Sequence, residues 1–99
     1  MATTYVNDSV TVGSSTTVVS SAKEERQYVV LCNDSNETMY LAINASAVLN
    51  KGIRLDPGEK FIIEKVAIDT KANCNEVINA ICTSGSKVLT ICERYLTAL

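Results

Sequence analysis

At 99 residues, with 46% hydrophobic and 20% charged side chains, the chain is one globular domain, too small for two cores and too apolar for disorder. Its net charge of −2 and singly scattered Lys and Arg exclude an electrostatic footprint for nucleic acid. Histidine is absent, which removes the commonest general base, the usual partner of a nucleophilic Ser or Cys, and the commonest metal ligand.

The opening segment, MATTYVNDSV, has neither the basic nor the apolar region of a signal peptide, and no run approaches a membrane span of about 18 residues. The expectation is a chain made in a cytoplasm without a membrane partner. Residues 1–22 are rich in Ser, Thr and Val around Gly13 and read as an N-terminal arm or edge strands. Residues 23–99 then form the main β-sandwich domain.

RQYVVLC (26–32) is a strand, apolar on both faces over its second half. NDSNE (33–37) is a turn by composition, since Asn and Asp tolerate the left-handed region and bond their own backbone. TMYLAI (38–43) returns as a strand, and the two read as a β-hairpin. NASAVLN (44–50) fits either one helical turn capped by Asn44 or an irregular crossover.

NKGIRLDPGEKF (50–61) concentrates turn chemistry. Gly52 breaks the apolar run, and Ile53-Arg54-Leu55 is a short extended piece. In Asp56-Pro57-Gly58-Glu59, Pro57 presets φ at the second turn position and Gly58 supplies the positive φ of a type II turn. Arg54 and Asp56 read as solvated turn residues. Phe61 opens the next strand, and VAIDTKANCNE (66–76) is a polar connection whose asparagines make poor helix interior. VINAICTSGSKVLTIC (77–92) reads as a second hairpin turning at Ser84-Gly85, apolar on both faces, which implies that a partner subunit covers one of them. ERYLTAL (93–99) reads as an arm or packing tail.

No motif carries chemistry. Glu24-Glu25 lies on a polar segment, GSS (13–15) and TSGS (83–86) lack the P-loop lysine and strand-to-helix context, and the sequons at Asn7, Asn33, Asn36 and Asn44 double as turn formers. Cys32, Cys74, Cys82 and Cys92 match no zinc spacing; three of them, Cys32, Cys82 and Cys92, read as small apolar residues in strands. No catalytic, cofactor-binding or metal-binding residue is expected, and no cofactor.

The aliphatic, aromatic-poor composition and seven or eight short strands with regular turn signals give an all-β expectation: a small antiparallel β-sandwich or jelly-roll-like barrel. The stretches RQYVVLCNDSNETMYLAIN, NKGIRLDPGEKFII and VINAICTSGSKVLTICE resemble small bacteriophage virion accessory proteins of the capsid-decoration and head-fibre kind. Arg26, Asn33, Tyr40, Gly52, Leu55, Pro57, Gly58, Ala80, Gly85 and Glu93 carry that resemblance across Arg26 to Glu93. It implies a non-enzymatic structural protein of a phage particle, assembled in the host cytoplasm and located in the virion. Its expected partners are its own copies, as a homotrimer, and the major capsid protein or another virion protein. The alternative is a glycan- or receptor-binding module of a fibre or tail, for which Tyr5, Tyr28 and Tyr95 are the available stacking surfaces.

Overall fold

The computed structural model describes residues 2–23, 25–65 and 75–97. Its strands are β1 (Ala2–Val12), β2 (Thr17–Ser20), β3 (Arg26–Asn33), β4 (Met39–Ile43), β5 (Ile53–Leu55), β6 (Lys60–Glu64), β7 (Ile78–Ile81) and β8 (Lys87–Thr97). Two four-stranded sheets result, in the orders β1-β8-β3-β6 and β2-β7-β4-β5. Every pairing is antiparallel. This is the strand order of a jelly roll, with the first and last strands side by side and consecutive strands mostly in opposite sheets.

Side chains alternate between the two faces of a strand, so each sheet gives one face to the core. The first sheet contributes Val12, Val29, Leu31, Leu89 and Ile91; the second contributes Val19, Met39, Leu41, Leu55, Ile78 and Ala80. Cys82, just beyond β7, is fully buried beside them. The core is aliphatic, as the composition requires, with Phe61 and Ile63 of β6 packed against its margin. Each large side chain buried there contributes about 1.5–3 kcal/mol of transfer free energy.

The corner before β6 matches its sequence chemistry. Gly58 has φ +82° and Glu59 N–H donates to Asp56 O at 2.9 Å, the geometry of the expected turn. Gly52 is held by a closer constraint. Its φ is +83°, and a Cβ there falls 2.3 Å from the carbonyl oxygen of Leu41.

Two local expectations are corrected. The segments read as hairpins are β3 with β4 and β7 with β8, and each pair is split between the two sheets. β3 pairs β6 and β8, whereas β4 pairs β5 and β7. The corners at 34–38 and 82–86 thus carry the chain across the sandwich. Second, residues 93–97 extend β8 rather than forming a tail, and β1 and β8 run side by side for 11 residues each. They are therefore not short. Of the two readings of residues 44–50, the irregular one holds and the helical turn does not: Asn44 and Asn50 both adopt positive φ, and Lys51 N–H closes a turn on Val48 O. Residues 1–22 supply β1 and β2, the edge strands of the two sheets. The connection at 66–74, with Cys74, lies outside the described residues.

Candidate functional site

The inner polar cluster of the sandwich is structural. Arg26 and Glu93 are each 1% exposed, and Arg26 Nε donates to Glu93 Oε2 at 3.1 Å. Lys23 Nζ sits 2.6 Å from Glu93 Oε1, and Ser20 Oγ donates to Oε2 at 2.8 Å. The remaining guanidinium nitrogens bond Ser20 Oγ, Ser21 O and Glu76 O. A buried ion pair survives only when its other donors and acceptors are bonded in this way. The cluster ties β2, the chain just before β3 and the first residue of β3 to β8.

The other sequence-matched positions are structural in the same sense. Asn33 Nδ2 donates to Glu37 O and Leu55 O at 2.6 and 2.8 Å, and the Asn33 backbone carbonyl accepts from Gly58 N–H at 2.8 Å. Tyr40 Oη donates to Asn50 Oδ1 at 3.0 Å. Arg54 and Asp56 form an exposed ion pair at 2.7 Å, in keeping with solvated turn residues. Arg54 and Thr38 hold the Asp56 carboxyl below its usual value. Glu37 receives hydrogen bonds from Ser84 and Thr83, and these lower its pKa while joining the β3–β4 corner to the β7–β8 corner.

The outer face of the β1-β8-β3-β6 sheet is different. The registers align three rows of outward residues: Tyr5–Arg94–Tyr28–Glu64, Asn7–Cys92–Val30–Ile62, and Ser9–Thr90–Cys32–Lys60. Tyr5 is 58% exposed and Ile62 53% exposed, and Val88 also lies open on β8. A shallow depression of about 590 Å³ crosses this face, lined in part by Asn7, Ser9, Val30, Cys32, Thr90 and Cys92.

The Arg94 guanidinium lies 6.0 Å from the centre of the Tyr5 ring. Its Nε is buried and has no hydrogen-bond partner among the described residues. Partial burial raises the Tyr28 phenol above its usual pKa; Cys92 and Tyr5 raise it further and Arg94 lowers it. Tyr95 has a separate place, with Lys23 Nζ 5.3 Å from its ring centre.

Two of the cysteines share this face. Cys92 stands opposite Val30 and Cys32 opposite Thr90, so the two lie diagonally across β3 and β8 with partly exposed, free thiols. Cys82 is buried, and its burial pushes the thiol pKa up. Among the described residues no three His, Cys, Asp or Glu side chains group as a metal site.

The sequence reading placed a two-sided apolar surface on the segment 77–92 but did not bring the tyrosines, thiols and Arg94 together. The only available signal was the period-two pattern of β8, in which Val88, Thr90, Cys92 and Arg94 alternate with Leu89, Ile91 and Glu93. On one side, the partners of that outer row come from β1, more than seventy positions away.

No family profile matches the sequence, and no curated protein matches it. The fold is similar to a solved chain from the work "Bacillus endospore appendages form a novel family of disulfide-linked pili". The TM-score is 0.51 at 7% identity, covering 98% of this chain and 88% of that one. At that identity the likeness is one of fold.

Proposed function

We propose that the chain is a non-enzymatic structural subunit that works by packing against copies of itself within a larger particle. The observation that carries this reading is the outer face of the β1-β8-β3-β6 sheet. It exposes Tyr5, Ile62 and Val88 and leaves the buried Arg94 Nε without an acceptor among the described residues. Exposed large apolar side chains on the same sheet face as an unbonded buried donor mark a surface that a partner completes.

The finer reading is a capsid-decoration or head-fibre subunit of a phage particle, located in the virion. It is supported by the sequence resemblance, and the fold suits it because jelly rolls recur among capsid domains. The pilus neighbour favours a filament instead, and both share the same physical content: a jelly-roll subunit that self-associates. Native mass by light scattering at rising concentration tests it. Species heavier than the 10.7 kDa chain support the reading, and a single chain at every concentration overturns it.

A glycan-binding reading rests on the Tyr5–Arg94–Tyr28 row, which offers two aromatic faces beside a cation with an open donor. It calls for an acidic sugar. A glycan array with no acidic hit that Tyr5→Ala abolishes removes it.

A further inference from the structure

We propose that β6 is a two-fold self-pairing edge, joining two copies of the chain into one continuous eight-stranded sheet. The inference deepens the assembly reading above by naming the strand and its partner.

β6 ends the first sheet, and among the described residues only β3 pairs with it. Two bonds fix which backbone groups face β3. Asn33 N–H donates to Glu59 O at 3.0 Å, and Lys65 N–H donates to Gln27 O at 2.8 Å. Antiparallel ladders alternate, so Phe61 and Ile63 also bond inward to β3. The N–H and C=O groups of Lys60, Ile62 and Glu64 consequently point away, to the open edge.

A second β6 laid antiparallel about Ile62 meets those groups in phase. Ile62 then faces Ile62 of the other copy as a bonded pair, and Lys60 faces Glu64. Phe61 falls opposite Ile63 on the core side and continues both hydrophobic layers. Just beyond the strand, Glu59 falls opposite Lys65. The segment Glu59-Lys60-Phe61-Ile62-Ile63-Glu64-Lys65 thus reverses its charges about its own centre.

Other registers that keep the bonding groups in phase lose this match. Slipping by two residues sets Lys60 or Glu64 against Ile62. Slipping by four sets Lys60 against Lys60 or Glu64 against Glu64. Charged residues ordinarily blunt a sheet edge against pairing. Here they select one register, because opposite charges across strands attract and like charges repel. A five-residue strand is a short contact, so the pairing depends on concentration and acts together with the adjoining outer face, where Ile62 and Val30 share a row.

The test is sedimentation equilibrium of the full chain and four variants, with circular dichroism to confirm that each is folded. Lys60→Glu or Glu64→Lys alone should weaken association on the order of tenfold, since each change alters both symmetry-related pairs. The double variant carrying both changes should restore association. Ile62→Pro removes an N–H that β3 does not use and should abolish pairing in a folded chain. Association indifferent to every variant overturns the edge pairing and leaves the assembly reading standing. A wild-type chain that stays monomeric to millimolar concentration overturns both.

Discussion

The two faces of the β1-β8-β3-β6 sheet are made by alternate residues of the same strands, yet they differ in how far the lone chain completes them. On the inner face, Glu93 and Arg26 are bonded to each other and to surrounding oxygens, and Leu89 and Ile91 are buried. On the outer face, Arg94, the very next residue after Glu93, leaves its Nε without a partner among the described residues, beside an exposed Tyr5. A polar group that folding buries must be bonded or it costs about 1–3 kcal/mol. The inner face meets that demand within one chain. On the proposed reading, a second molecule finishes the outer face.

Adjacent substitutions on β8 break this comparison most sharply. Glu93→Ala should cost about 3–5 kcal/mol by urea denaturation, because it strips Arg26 and Lys23 of their buried counter-charge. Arg94→Ala should cost at most about 1 kcal/mol. A large loss at Arg94 and none at Glu93 would invert the assignment of the faces. One step smaller, Leu31→Ala should cost about 2–5 kcal/mol through the cavity it leaves, while the neighbouring outward Val30→Ala stays well below it in the same assay.

The thiols sharpen the comparison without altering stability. In dilute native protein Cys32 and Cys92 should alkylate readily, whereas Cys82 should react only on unfolding, being buried with its thiol pKa raised by burial. Peptide mapping after timed alkylation reads all three. Equal labelling of Cys82 and Cys92 would contradict the two-face picture.

The smallest effect belongs to the corners. The hydrogen bonds from Ser84 and Thr83 hold the Glu37 pKa below its ordinary 4.5. A carboxyl depressed in the folded state contributes stability above the unfolded value, and that contribution is lost as pH falls through the folded one. Stability should therefore decline below about pH 4.5, and Glu37→Gln should flatten that limb of the thermal-melt profile. A wild-type limb that the substitution leaves unchanged would remove the role of this corner.

The layered β architecture was legible in the sequence because short apolar runs separated by Asn, Asp, Gly and Pro have few other uses. The turn at Pro57-Gly58 was legible down to its type, since φ is dictated by those two residues. Strand pairing was not. Asp34 to Thr38 and Cys82 to Ser86 carry the same turn chemistry whether the chain stays in one sheet or crosses to the other. In a jelly roll the partner of β1 is β8, a pairing that no local signal records. The buried Arg26–Glu93 pair spans 67 positions and shows in the sequence only as a charge flanking each of two apolar runs. The outer site was half visible, as excess apolar character over residues 77–92, because its rows form only once β1, β8, β3 and β6 are in register.

The central claim, that the outer face of this sheet is closed by another copy, is tested most directly by the alkylation rate of Cys92 as protein concentration rises. The account predicts that Cys92 slows as native mass grows, because association covers the row it shares with Val30 and Ile62. A growing mass with an unchanged Cys92 rate would contradict it and place the contact elsewhere on the molecule.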